Sequence, residues 1–159
     1  MTEVFIGFGS NVGDAHRLFH SALAALSDTF SKLQLSPLYH SKAIGPTQPD
    51  YTNAVAGGLT ALSPQDLLNT LHEIETAHGR ERGERWGPRT LDLDLLLYGE
   101  KTLSSSTLTL PHPELSKRNF VLAPLVDLRP KLRLPNGVSL ASLLSSIGHE
   151  GLTPLGPLT

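Results

Sequence analysis

The order of the apolar segments predicts an α+β sandwich, in which helices pack on one face of a mainly antiparallel sheet. Short apolar runs bounded by glycine or proline indicate strands, whereas longer segments with an apolar residue every three or four positions indicate helices. The two kinds of segment follow one another in the order β-α-β-β-α-β, without a repeat, linker or low-complexity tract. The sequence therefore predicts one domain spanning residues 1–159.

Three strands are predicted in the first part of the chain. Residues 4–8 form a short apolar run that ends in a glycine-rich loop, and residues 33–39 form a second run. Residues 51–60 form the third strand, in which Gly57 and Gly58 predict a bulge because glycine weakens a regular strand.

Two helices lie between and after these strands. Asp14 can cap the first helix, and Ser63 can cap the second, with Pro64 at its first position. Gly79 ends the second helix. The apolar stripes are Leu18, Phe19, Ala22, Leu23 and Leu26 in the first helix, and Leu67, Leu68, Leu71 and Ile74 in the second. Each helix is thus predicted to lay one face on the sheet.

The second half of the chain is less regular. Residues 91–98 predict a strand and residues 108–110 a short edge strand, whereas residues 120–128 and 140–147 predict helices. The tail after about residue 148 is predicted to be loosely ordered.

The composition limits the classes of function. A net charge of −2 argues against a general nucleic-acid-binding or anionic-membrane surface, and no apolar run approaches the length of a membrane span. The absence of cysteine excludes disulfides, thiolate metal sites and a cysteine nucleophile. With no signal-peptide pattern at the N-terminus, we expect a cytoplasmic protein.

Two carboxylates interrupt the most leucine-rich strand, RTLDLDLLLYG. Alternate residues of a strand share a face, so Asp92, Asp94 and Leu96 are predicted to point one way and the odd-numbered leucines, 91 to 97, into the core. Oxygen ligands spaced roughly 7 Å apart along a strand suit Mg²⁺ ions that bridge a polyphosphate. The alternative is a solvated strand face with salt-bridged aspartates.

An arginine-rich loop precedes this strand. Its four arginines, with Trp86 among them, are Arg80, Arg82, Arg85 and Arg89. Arginine is well shaped for bidentate phosphate contacts, so the loop and the aspartates together favour a nucleotide pocket. Pairing of the arginines with Glu81 and Glu84 in a solvated loop is the alternative.

Other sequence features narrow the kind of nucleotide site. No P-loop motif is present, and the glycine-rich loop at residues 7–13 has one residue too many for a dinucleotide-binding fingerprint. His16 and His20 lack a third metal ligand nearby and are interpreted as surface residues. His112 lies between two prolines, shortly before Arg118, as suits a rigid phosphate-contacting loop, although a structural histidine is the alternative.

Tyr51 and Asn53 are predicted to share a strand face. A ring beside a carboxamide can stack on a flat heterocycle and hydrogen-bond to its edge. Packing of the tyrosine on a neighbouring strand is the alternative interpretation.

Four segments occur in a recognisable order: GSNVGD (9–14), QPDYTNAV (48–55), GRERGERWGPRTLDLDLLLYG (79–99) and LPHPELSKRNFVLAPL (110–125). Together they resemble the 6-hydroxymethyl-7,8-dihydropterin pyrophosphokinase family of folate biosynthesis. The resemblance spans residues 4 to about 147 and implies a ferredoxin-like α+β sandwich. It further implies transfer of the β,γ-pyrophosphoryl group of ATP to the pterin hydroxymethyl oxygen, with release of AMP.

The resemblance also implies the site residues. Asp92 and Asp94 would hold two Mg²⁺ ions, and Arg80 and Arg89 would join them in catalysis. The residues implied for ATP are Glu75, Arg82, Arg85, His112 and Arg118. The residues implied for the pterin are Ser41, Ile44, Tyr51, Asn53, Trp86 and Phe120. The partners are thus two small molecules, ATP and hydroxymethyldihydropterin, and a monomer is expected.

Two positions depart from the pattern of the family. Lys42 stands where a proline or acidic residue is expected, and Gly83 replaces a bulkier or basic residue in the arginine-rich loop. These departures concern the geometry of the loops. The competing function class is a nucleotide- or phosphate-binding module without catalysis, which would release no AMP.

Overall fold

The computed structural model describes residues 1–11, 14–42, 50–79 and 91–159. Within them the strands are β1 (Thr2–Ser10), β2 (Phe30–Leu35), β3 (Leu38–Ser41), β4 (Tyr51–Thr60), β5 (Asp92–Tyr98), β6 (Leu103–Ser104), β7 (Thr109–Leu110) and β8 (Leu152–Gly156). The helices are α1 (Ala15–Leu26), α2 (Pro64–Ala77), α3 (Asn119–Leu128) and α4 (Leu140–Ile147). None of the helices in these ranges has the length and apolar character needed to cross a membrane.

The main sheet is antiparallel in every strand pair of the described residues. Its order is β5-β1-β4-β3-β8, with β2 also paired to β4. The two-stranded pair of β6 and β7 lies apart from this sheet, so the strand predicted at residues 108–110 joins a small hairpin. The antiparallel α+β architecture confirms the predicted fold class.

The predicted strand at residues 33–39 is divided into β2 and β3 by Ser36 and Pro37. Proline has no N–H to donate to a strand ladder. At this point the hydroxyl of Ser36 accepts a hydrogen bond from the Val55 N–H, and the Ser36 N–H donates to the Val55 carbonyl. The serine therefore satisfies the β4 backbone where the ladder is interrupted.

The helices cover both faces of the sheet, which corrects the prediction of helices on one face. The first core cluster joins the sheet to α1 and α2 and includes Val4, Ile6, Phe8, Phe19, Leu26, Ala54, Leu67, Leu71, Leu93 and Leu95. The second core cluster joins the sheet to α3 and α4 and includes Phe5, Tyr39, Val55, Leu96, Leu97, Leu122, Leu125 and Leu140. Strands buried on both faces are apolar without alternation, as β4 is at residues 54–56.

The bulge predicted at Gly57 and Gly58 of β4 lies instead in β2, which pairs with this part of β4. In β2 the register with β4 shifts between Ser31 and Gln34, and Lys32 has a φ of 53°. A Cβ on Gly57 would lie 2.8 Å from a ring carbon of Phe5. The missing side chain at Gly57 thus leaves room for the Phe5 ring beside β4.

A bulge in β5 also changes one of the leucine assignments. The pairing of β5 with β1 shifts between Phe5 and Ile6, which leaves Leu96 as an extra residue. As a result Leu95 faces the first core cluster, whereas Leu96 and Leu97 both face the second. The prediction that Leu97 shares a face with Leu95 was wrong, because one inserted residue reverses the alternation.

The C-terminal tail is ordered rather than loose. Residues 152–156 form β8, which pairs with β3 along one edge of the main sheet. Beyond it, Leu158 packs against the first core cluster, and the carbonyl of Thr159 is 2.7 Å from Nε2 of His20. Backbone pairing is not visible in side-chain periodicity, which explains why the sequence did not predict this strand.

Candidate active site

Two cavities adjoin at the end of the sheet where Asp92, Asp94 and Arg118 lie. The first cavity, of about 730 Å³, lies over β1 and β4 beside the start of α3, and its lining includes Ser41, Tyr51, Asn53 and Phe120. The second cavity, of about 590 Å³, lies between α2 and the β6–β7 region, and its lining includes His72, Glu75 and His112. The lining of both cavities contains Asp92, Asp94 and Arg118. These three residues therefore connect the two spaces.

The fold of β5 fixes the two aspartates at this junction. Asp92 is half-buried and Asp94 is exposed, while Leu93 between them is buried in the first core cluster. The Leu93 N–H points away from β1 and donates to Oε2 of Glu75 at 2.9 Å. Glu75 itself is only 4% exposed. A buried carboxylate on α2 thus holds the β5 backbone between the two aspartates.

This contact predicts separate effects for two substitutions of Glu75. Glu75→Leu should lower the free energy of unfolding by about 1–3 kcal/mol, because it leaves the buried Leu93 N–H without its acceptor. Turnover should also fall by about tenfold, since the aspartates lose their backbone anchor. Urea unfolding and steady-state kinetics measure the two effects.

Glu75→Gln is the matched variant, because its carboxamide oxygen can still accept from Leu93. It should lose less than about half as much stability as Glu75→Leu. Equal losses of stability in the two variants would show that Glu75 does not stabilise the fold through its hydrogen bond with Leu93.

The floor of the first cavity is made by glycine backbone in β1. Gly9 pairs with Asn53 on one side and with Asp92 on the other. A Cβ on Gly9 would lie 3.3 Å from Nδ2 of Asn53, 3.8 Å from Tyr51 and 4.0 Å from Cβ of Asp92. The missing side chain leaves open the space between the carboxamide and the carboxylate.

Substitution of this glycine should narrow the cavity. We expect Gly9→Ala to raise the KM for the molecule bound over the floor by about tenfold, because buried Asn53 has little room to move away. Gly7→Ala is the comparison, since its Cβ would make only ordinary contacts, 3.5 Å from the Leu96 side chain. Steady-state kinetics should show a clearly larger KM change for the first variant, and equal changes would contradict this role of Gly9.

Polar and aromatic groups meet above this floor. The Ser41 hydroxyl donates to Oδ1 of Asn53, which fixes the carboxamide so that Nδ2 lies toward Gly9. Asn53 is 6% exposed, so its polar atoms are held in one arrangement. Tyr51 and Phe120 line the same cavity from β4 and α3. The structure thus brings together four of the six residues implied for the pterin.

Two of the residues implied for phosphate contact, His112 and Arg118, line the second cavity. The His112 N–H donates to the carbonyl of Leu96 at 2.9 Å, which attaches its loop to the β5 bulge. Nδ1 of His112 accepts from the Glu114 N–H at 3.1 Å, so the proton of a neutral ring lies on Nε2. The guanidinium of Arg118 lies 5.7 Å from the centre of the Phe120 ring. Both side chains can therefore donate to an anion.

Several predicted site residues lie outside the described residues. They are Ile44, Arg80, Arg82, Arg85, Trp86 and Arg89. Their roles stay predictions. His16 and His20 are on α1 and line neither of the two cavities, in keeping with their interpretation as surface residues.

Sequence reasoning missed one wall of the first cavity. Asn119, Ile147, Glu150 and Gly151 line it, together with Lys42. These residues come from the start of α3, the end of α4 and the connection to β8. The tail has no apolar pattern to mark it, and the predicted helix of residues 120–128 begins one residue after Asn119.

The donor set at the junction fits magnesium. Among the described residues no group of three or more histidine, aspartate or glutamate side chains could hold a metal ion by itself. Mg²⁺ prefers one or two carboxylates completed by water and by phosphate oxygens rather than a cage of protein ligands. Asp92 and Asp94 match that preference.

Residues 5–130 match the model of the family described as 7,8-dihydro-6-hydroxymethylpterin-pyrophosphokinase. The chain belongs to this family. Pterin pyrophosphokinases transfer a pyrophosphoryl group from ATP to hydroxymethyldihydropterin in folate biosynthesis, and this is the activity of the protein.

Curated relatives agree with this assignment. The 2-amino-4-hydroxy-6-hydroxymethyldihydropteridine pyrophosphokinase of Pseudomonas aeruginosa is 45% identical to the chain, and the match covers 96% of each protein. The protein of the same name from Haemophilus influenzae is 41% identical, over 99% of this chain and 100% of its own length.

Solved structures show the same fold. The wild-type HPPK-DHPS of Plasmodium falciparum superimposes with a TM-score of 0.76 at 12% identity, over 97% of this chain. The chain spans about half the length of that protein, 47%. At this identity the likeness is evidence for the fold alone.

Proposed function

We propose that this pterin pyrophosphokinase carries out its reaction where the two cavities meet. The pterin occupies the first cavity, and the phosphates of ATP reach the junction from the second. The observation that carries this proposal is that Asp92, Asp94 and Arg118 line both spaces. A reaction between two substrates requires such a shared boundary, because the attacking oxygen and the phosphorus must come into contact.

Each cavity suits its substrate chemically. The carboxamide of Asn53, oriented by Ser41, can hydrogen-bond to the edge of a flat heterocycle. Tyr51 and Phe120 can enclose its faces, since aromatic rings stack on flat heterocycles. In the second cavity His112 and Arg118 donate to phosphate oxygens.

Two Mg²⁺ ions, bound with ATP by Asp92 and Asp94, would supply charge neutralisation at the triphosphate. The protein residues then bind and orient the substrates. Asp94, exposed at the junction, orients the hydroxymethyl group toward the β-phosphorus. Arg80, Arg82, Arg85 and Arg89 are proposed to add positive charge near the phosphates, and Trp86 and Ile44 to complete the enclosure of the pterin.

The protein is proposed to act as a monomer in the cytoplasm, where ATP is available. The proposed partners are the two small-molecule substrates, without nucleic acid or membrane.

The products of the reaction test this function. The protein is incubated with ATP, Mg²⁺ and 6-hydroxymethyl-7,8-dihydropterin, and nucleotides and pterins are separated by chromatography. We expect AMP and pterin diphosphate in equal amounts. ADP would indicate transfer of a single phosphoryl group, and binding of ATP without pterin-dependent turnover would indicate a nucleotide-binding module.

A further inference from the structure

Part of the wall of the first cavity is built by the C-terminal segment of residues 147–151. Ile147, Glu150 and Gly151 line the cavity from this side. The segment lies between the end of α4 and β8, so its position depends on how that connection is attached to the rest of the fold.

One side chain makes this attachment at the cavity. Nδ2 of Asn119 donates to the carbonyl oxygens of Gly148 at 3.1 Å and of Glu150 at 3.0 Å. Asn119 is the first residue of α3 and stands between Arg118 and Phe120, two residues of the candidate site. The carboxamide thus joins the wall of residues 147–151 directly to the segment that carries the phosphate-contacting and ring-stacking side chains.

A second hydrogen bond continues this connection to the end of β3. The N–H of Lys42 donates to the carbonyl of Gly151 at 3.0 Å, next to the pairing of Ser41 with Leu152. Ser41 in turn fixes the Asn53 carboxamide. A proline at position 42 would have no N–H to make this bond. The contacts therefore connect Asn119, through the C-terminal wall, to Ser41 and Asn53, which are proposed to face the heterocycle.

We propose that Asn119 is a positioning residue for the pterin, which acts by holding the C-terminal wall of the first cavity in place. This inference rests on the proposed function, because it assumes that the pterin occupies the first cavity. Asn119 need not touch either substrate. Its removal should affect the pterin far more than ATP, since the wall lines only the first cavity.

Two substitutions of Asn119 test the proposal. Asn119→Leu keeps the size of the side chain without a donor, and Asn119→Ala removes the side chain. Loss of two neutral hydrogen bonds predicts a rise of about tenfold in the KM for pterin in both variants, with the KM for MgATP changed by less than about twofold. Asn69→Ala is the matched control, because Asn69 is an exposed asparagine on α2 whose carboxamide accepts from Gln65.

Amide hydrogen exchange distinguishes movement of the wall from distortion of α3. The Lys42 and Leu152 amides, which donate to Gly151 and His149, should exchange faster in both Asn119 variants. The Leu122 amide, which donates to Arg118 in the first turn of α3, should be unchanged. Faster exchange at Leu122 alone would overturn the proposal, as would an unchanged KM for pterin.

Failure of this inference is distinguishable from failure of the proposed function. If Phe120→Ala weakens pterin binding but the Asn119 variants do not, the pterin site stands and the role of Asn119 is wrong. If Phe120→Ala also leaves pterin binding unchanged, the pterin does not occupy the first cavity and both proposals fail.

Discussion

Replacement of either strand aspartate should reduce turnover by about a thousandfold or more, because each is proposed to hold a metal ion that neutralises the triphosphate. Asp92→Ala and Asp94→Ala should also weaken binding of MgATP, since the phosphates lose part of their charge compensation. Steady-state kinetics and calorimetric titration with a non-hydrolysable ATP analogue measure the two effects. The free energy of unfolding should change little for Asp94, which is exposed.

The control for these variants is a carboxylate elsewhere on the surface. Asp28 is exposed in the turn after α1 and lines neither cavity, so Asp28→Ala should retain close to the wild-type rate. A rate near that of the wild type in Asp92→Ala or Asp94→Ala would contradict the proposal that both aspartates hold metal ions.

The second large effect is expected at the carboxamide of the first cavity. Asn53→Ala should raise the KM for pterin by about a hundredfold. Without the carboxamide, the polar edge of the bound pterin would be buried without its hydrogen-bond partner. The KM for MgATP should stay within about twofold, since Asn53 does not line the second cavity. Kinetics with each substrate varied in turn provide the measurement.

Ser41→Ala gives a graded comparison for this prediction. The serine hydroxyl orients Asn53, so its loss should raise the same KM by only about fivefold. If Ser41→Ala raised the KM for pterin as much as Asn53→Ala, the serine would be the residue that contacts the pterin directly. No change in Asn53→Ala would contradict the placement of the pterin.

The geometry of the aspartate pair was predictable because strand alternation determines it. Asp92 and Asp94 lie two residues apart with Leu93 buried between them, so both carboxylates reach the same junction. The same rule failed at Leu97, where a bulge inserts one residue. A bulge depends on the pairing partner, and leucines on either side of it give no signal of which one is extra.

Contacts between distant segments were less accessible to sequence reasoning. The hydrogen bond from Leu93 to Glu75 depends on how α2 packs beside an edge strand, and a single glutamate in an amphipathic helix does not indicate it. The attachment of Asn119 to Gly148 and Glu150 likewise uses backbone acceptors, which carry no residue preference. The family motifs implied which residues bind substrate, whereas the structure revealed how some of them are held.

Helices on both faces of the sheet could have been suspected from β4. Its residues Ala54, Val55 and Ala56 are all buried, which is typical of a strand covered on both sides. The helices α3 and α4, however, follow the βαββαβ unit and give no indication from periodicity alone of which face they cover. Their placement is important for the candidate site, because the start of α3 brings Arg118 and Phe120 to the first cavity.

We propose that Asp92 and Asp94 together hold two metal ions at the boundary between the cavities. Titration of Mn²⁺, followed by electron paramagnetic resonance in the presence of a non-hydrolysable ATP analogue and the pterin, counts these ions directly. We expect two bound ions per chain in the wild-type protein, and fewer in both Asp92→Ala and Asp94→Ala. Two ions bound with unchanged affinity in either variant would contradict the claim.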